Sequence, residues 1–163
     1  MSANKYRPHV LVLPEDDANN DIANGFLLHD ALDSRAIQVL PCAGGWRKVR
    51  ETFLSDHVIE MRRNPHRYMV LLVDFDNEPT RFDQMIEDTP DDLAERVFVM
   101  GVWSEPEELA RAGLGNKEDV GYQLASECYD ETRDVWNHDL LLHNADELHR
   151  MTTLLRPILF PST

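Results

Sequence analysis

The sequence predicts a three-layer α/β fold, with a mainly parallel sheet of four to five strands flanked by helices. Short, β-branched apolar runs recur along the chain, at Val10–Leu13, Tyr68–Val73 and Arg96–Trp103. Between them lie segments whose apolar residues repeat at helical spacing, and the boundaries fall at Pro, Gly, Asn or Asp. Strands alternating with helices over 163 residues are the signature of βα units rather than of a helical bundle or a sandwich.

Each element has its own reason. His9 to Leu13 is a short, β-branched run, apolar from Val10 on and closed by Pro14, as a buried strand should be. From Asp17 to about Leu32, Ile22, Phe26 and Leu27 recur at helical spacing, with Asp16 or Asp17 placed to cap. Ala36 to Leu40 reads as a second strand, closed by Pro41 and followed by Gly44-Gly45. Arg47 to Arg63 carries Val49, Phe53, Val58 and Met61 on one face and stops at Asn64-Pro65. Tyr68 to Val73 is the third strand and runs straight into Asp74-Phe75-Asp76. A short helix follows near Arg81 to Ile86, then a fourth strand from Arg96 to Trp103. Ser104 and Glu107 have the capping-box spacing for the next helix, and Asn116 to Tyr129 is helical. Asp139 to His143 is the candidate fifth strand. Asn144, with Glu147 three on, opens a last helix to about Arg156.

A length of 163 residues suits a single domain spanning 1–163. Its core is expected over about 9–103, with a helical C-terminal extension over about 104–163. The formal charge is −14, but it is unevenly spread. Residues 1–67 hold nine basic and nine acidic residues; residues 68–163 hold seven basic against twenty-one acidic. That balance excludes a polybasic nucleic-acid binder working alone. No apolar stretch approaches the roughly 20 residues that span a bilayer. The N-terminus lacks the apolar core of a secretory signal. The two cysteines, Cys42 and Cys128, have no metal-ligand spacing, so a cytoplasmic protein is expected.

Ligand sites in open parallel sheets form at the carboxyl ends of the strands. Two predicted strands present carboxylates there: Glu15, Asp16 and Asp17 after the first, Asp74 and Asp76 after the third. Clustered carboxylates repel one another unless a cation or hydrogen bonds offset them. Hard oxygen donors of this kind select Mg²⁺ or Mn²⁺, which serve phosphoryl-transfer chemistry. The bland alternative is that these acids only cap helices.

The residues that carry this pattern, Val10–Glu15, Val39–Gly45 and Leu71–Asp76, resemble the Toprim domain. That α/β catalytic module is shared by topoisomerases, bacterial primases, small RNA-maturation nucleases and the overcoming-lysogenization-defect nucleases. The likeness covers about residues 9–103. It implies Glu15 as general acid/base and metal ligand, with Asp74 and Asp76 as Mg²⁺ ligands. The chain departs from the family in having Asp16 where Gly is usual and Asn19 where an acid is frequent. A second resemblance is to receiver domains, with Glu15-Asp16-Asp17 as the acidic pocket, Asp74 as phosphoacceptor and Ser104 as the hydroxyl after the fourth strand. No Lys-Pro follows a fifth strand to complete that pattern.

Arg47, Lys48 and Arg50 open a helix after Gly44-Gly45, where free N–H groups and the helix dipole also favour an anion. They are the expected nucleic-acid contacts. Attraction to nucleic acid by this chain alone is weak given its acidity, so a protein partner is expected. The resulting expectation is Mg²⁺-dependent phosphodiester hydrolysis on nucleic acid within a multi-protein complex. The alternative from another class is a catalytically inactive α/β interaction module. His138, His143 and His149 match no strong zinc spacing.

Overall fold

The computed structural model describes residues 2–162. Four strands, β1 (His9–Pro14), β2 (Ile37–Val39), β3 (Arg67–Leu72) and β4 (Val97–Met100), form one all-parallel sheet in the order β2-β1-β3-β4. The register pairs Val12 with Val70 and Val39, and Val70 with Phe98. Between β1 and β3 the order reverses direction, which makes that crevice the topological switch point of the sheet.

Side chains alternate along each strand, so each strand feeds two cores. Val10, Val12, Val70, Phe98 and Met100 face one layer, built from α1 (Asp17–Leu27), the later helices and Trp136. Leu11, Leu13, Met69, Leu71, Val97 and Val99 face the other, against Val49, Phe53, Met61, Met85 and Leu93. The second layer comes from α2 (Trp46–Thr52), α3 (Val58–Arg63) and α4 (Arg81–Ile86). Alpha-helical α2 and α3 are joined by a π-helical stretch, Phe53–His57, so the expected helix over 47–63 is one run with an internal bulge.

The segment expected as a C-terminal extension supplies most of the first layer. Short α5 (Glu107–Arg111) precedes α6 (Lys117–Asp130), capped by the Asn116 side chain on Asp119 N–H; α7 (Ala145–Leu154) and α8 (Arg156–Leu159) follow. Leu109, Val120, Leu124, Leu148 and Leu155 are all buried against the sheet or α1. α1 and α6 cross at Gly25 and Gly121. A Cβ on Gly25 would stand 2.0 Å from the Glu118 carbonyl oxygen, and one on Gly121 the same distance from that of Ile22. Only glycine lets the two backbones meet so closely.

Asp139–His143 is not a fifth strand. It forms turns running into a short 3₁₀ segment, Leu142–Asn144. Side chains close the β4 edge instead. Asn144 accepts from Gly101 N–H at 3.1 Å and donates to the Gly101 carbonyl at 2.9 Å, while Glu147 accepts from Val99 N–H at 2.9 Å. Once these side chains have satisfied the edge, a further strand has nothing to pair with. The Asn144 side chain is therefore unavailable to cap α7, and it makes no cap bond. Ser104 likewise does not cap: α5 begins after Pro106. No described helix is long and apolar enough to cross a membrane.

Candidate metal centre

β1 ends at Pro14, and the chain turns immediately into α1 with Asp16 as its cap, its Oδ1 accepting from Asn19 N–H at 3.0 Å. Glu15 thus sits between strand and helix. Its Oε2 accepts the Asp74 backbone N–H at 2.7 Å, tying the end of β1 to the chain just past β3. Asn19, fully buried on the first turn of α1, uses its side-chain NH₂ on both neighbours: 2.9 Å to Asp16 Oδ1 and 2.9 Å to Asp74 Oδ1. Glu15, Asp16 and Asp74 consequently bring one carboxylate oxygen each within 4.8 Å of one another.

The two acids flanking the crevice are hard to ionise. Burial pushes the Asp74 carboxyl up to about 7; the Asn19 hydrogen bond opposes this, and the charges of Glu15, Asp16 and Asp76 add to it. Glu15 is also raised, by burial first and by Asp16 and Asp76, against the Asp74 N–H bond and the charge of Arg81. These are the consequences of packing carboxylates together out of water with only the charge of Arg81 to offset them in part.

Gly44 and Gly45 also meet the chain at Glu15. Their φ values of 96° and 127° are left-handed, open to glycine at little cost. The turn lets Gly44 N–H and Gly45 N–H reach the Glu15 carbonyl at 2.8 and 3.2 Å. Cys42 donates weakly to Asp17 at 3.5 Å, and Asp17 itself stays outside the cluster.

Asp76 is not drawn into the cluster with Asp74. Extended backbone carries Asp74 toward the crevice and buries Phe75 against His143, with ring centroids 4.4 Å apart. At Asp76 and Asn77 the backbone turns left-handed, with φ of 51° and 59°. That bend directs the half-exposed Asp76 carboxylate to Arg81 at 3.0 Å. Arg81 is buried, donates also to the Asp74 carbonyl at 2.8 Å, and lies 4.3 Å from the centre of the Trp46 ring.

Of the predicted basic contacts, Arg47 and Lys48 are exposed at the start of α2. Arg47 lies 4.8 Å from the Trp46 ring, and Lys48 stands 3.6 Å from Glu51. Arg50 is held by Glu87 at 2.9 Å and by Asp88. The residues that sequence reasoning did not single out as site members are Asn19 and Arg81. Asp16, read as a candidate cap and as one of the carboxylates at the sheet edge, is both a cap and a member of the cluster. An all-oxygen set of three carboxylates on one crevice fits a hard divalent cation. The chain matches no family model, no curated protein and no solved structure.

Proposed function

We propose that this chain is a divalent-cation-dependent phosphodiesterase acting on nucleic acid, with a Toprim-like use of its switch-point acids. The observation that carries the reading is the convergence of Glu15, Asp16 and Asp74 within 4.8 Å, in a crevice where Asp74 is kept half-protonated near neutral pH. Such a cluster is destabilising by itself, and a bound cation relieves it.

Glu15, Asp16 and Asp74 would hold Mg²⁺ or Mn²⁺. When bound, that ion polarises a phosphoryl oxygen and makes a water molecule acidic enough to attack phosphorus. Glu15, whose carboxyl pKa is raised by burial above its usual range, would accept the attacking water's proton and return one to the departing oxygen. Asp76 acts from outside, holding Arg81 and through it the Asp74 carbonyl. Arg47 and Lys48, exposed at the mouth of α2, contact backbone phosphates; Arg50 instead ties α2 to the Glu87-Asp88 loop.

The test is a Mn²⁺ titration by calorimetry, with cleavage of labelled single- and double-stranded DNA and RNA at millimolar Mn²⁺. Binding and cleavage that vanish together in Asp74→Asn support the reading. A wild-type chain that neither binds nor cleaves is an interaction module with a vestigial site. One observation favours a receiver-like phosphoacceptor as second reading: the Ser104 hydroxyl after β4 is buried and has no partner among the described residues. Incubation with a small phosphodonor, followed by mass spectrometry of Asp74, tests it.

A further inference from the structure

We propose that the outer face of the α1–α6 layer, centred on Leu28, Tyr122 and Tyr129, docks a basic amphipathic helix of a partner protein. Leu28 is 65% exposed, Tyr129 43% and Tyr122 39%, the largest apolar exposures on this layer. The two tyrosines are joined through one side chain, and Leu28 directly precedes that residue in the chain. His29 lies between them, its ring centroid 5.4 Å from both Tyr122 and Tyr129 and 5.5 Å from Phe160. Tyr129 in turn stands 5.4 Å from Phe160. A joined aromatic surface of this kind marks an interface more often than isolated exposed side chains do.

Charge selects the occupant. On α6, four- and seven-residue spacings place Glu118, Tyr122 and Tyr129 on one face, with Asp119 and Asp130 flanking it. Asp30 follows the patch on the α1 side. Among the described residues none of Asp30, Glu118, Asp119 and Asp130 forms a salt bridge. Arg133, past the end of α6, is exposed, and Arg156 is occupied by the Cys128 and Tyr129 carbonyls and stands 3.9 Å from Glu131. An apolar stripe rimmed by unpaired carboxylates complements a helix with apolar residues on one side and Lys or Arg at its margins. The tyrosine faces add cation–π attraction. A second copy of this chain would bring acid against acid, and nucleic acid would meet the same repulsion. The surface also leaves the carboxylate crevice free: α1 carries Asp16 at one end and Leu28 at the other, about 18 Å apart at 1.5 Å per residue.

The experiment uses the isotopically labelled full chain and a synthetic leucine–lysine amphipathic helix of about five turns, with a leucine–glutamate helix as control. Amide shifts at Leu28, Asp30, Glu118, Tyr122 and Tyr129 are expected with the lysine helix and absent with the glutamate helix. Binding should weaken at least tenfold in Tyr122→Ser/Tyr129→Ser, and fall with added salt. Leu28→Lys, at a freely exposed position, repeats the test should the double variant misfold. Shifts centred on another surface, or undiminished binding by Leu28→Lys and the double variant, overturn the proposal. So does a concentration-dependent dimer that these substitutions dissolve.

Discussion

The Glu15 carboxylate accepts the backbone N–H of Asp74 at 2.7 Å. The Glu15 side chain therefore fixes the backbone from which Asp74 projects; losing the Glu15 carboxylate breaks this tie, whereas a side-chain change at Asp74 keeps its N–H donor. The bond also holds two adjacent parallel strands in register at their carboxyl ends, where divergence would open the crevice.

Asp74→Asn should stabilise the cation-free protein, and more so in alkali. A carboxyl whose folded pKa is raised from 3.8 to about 7 binds its proton more tightly folded than unfolded. The stability it contributes is complete below about pH 4 and is lost as pH rises through about 7. Removing the charge should recover up to about 4 kcal/mol at pH 8 and less than half of that at pH 5. Urea unfolding with chelator present measures both; an equal gain at both pH values would refute the burial argument.

Cation affinity should rise with pH over the same interval. Asp74 must lose its proton to act as a ligand, so binding releases a proton below about pH 7. Mn²⁺ affinity is expected to increase about tenfold between pH 6 and pH 8, with the calorimetric heat depending on buffer ionisation at the lower pH. A flat profile would remove Asp74 from the ligand set.

Gly25→Ala and Gly121→Ala should each cost at least about 2 kcal/mol, because the added methyl meets a main-chain carbonyl at 2.0 Å and must push the helices apart. Chemical denaturation reads the loss. Ala at an ordinary exposed helix position such as Asn24 should change stability by well under about 1 kcal/mol.

Asn144→Ala strands both the N–H and the carbonyl of Gly101 at the β4 edge. Two buried polar groups without partners should cost about 2–5 kcal/mol. Hydrogen exchange should quicken at Gly101, and in Glu147→Ala at Val99. Unchanged exchange at these amides would mean that β4 has another cover.

Much of the fold was legible because strands buried on both faces must be wholly apolar, and Val10–Leu13 and Met69–Val73 are. The order β2-β1-β3-β4 was not, since nothing in a strand's composition names its neighbour. The false fifth strand arose from the same rule: Leu140, Leu141 and Leu142 form an apolar run, but Leu141 is buried while Leu142 is 47% exposed, so the run packs as a turn. In the site, Glu15 and Asp74 could be read from strand ends. Asp16 was legible both as a cap and as one of the edge carboxylates, but which of Asp16, Asp17 and Asp76 joins the cluster depended on the turns after the two paired strands. Arg81 had no signal, because an arginine buried by a tryptophan ring looks in sequence like any charged helix start. The bend at Asp76, which separates the two acids of Asp-x-Asp, is a backbone choice that the residue types permit but do not demand.

The switch point lies between β1 and β3, the two interior strands, while β2 is three residues long and β4 is closed by side chains. Local opening begins at edges and termini, where few bonds must break together. The crowded carboxylates are consequently lodged in the part of the molecule that is last to open. Thermal fluctuation can fray β2 or release Asn144 while Glu15, Asp16 and Asp74 keep their spacing. Their mutual repulsion is thus borne by the whole domain's cooperativity, and it appears as a tax on global stability rather than as a loose site.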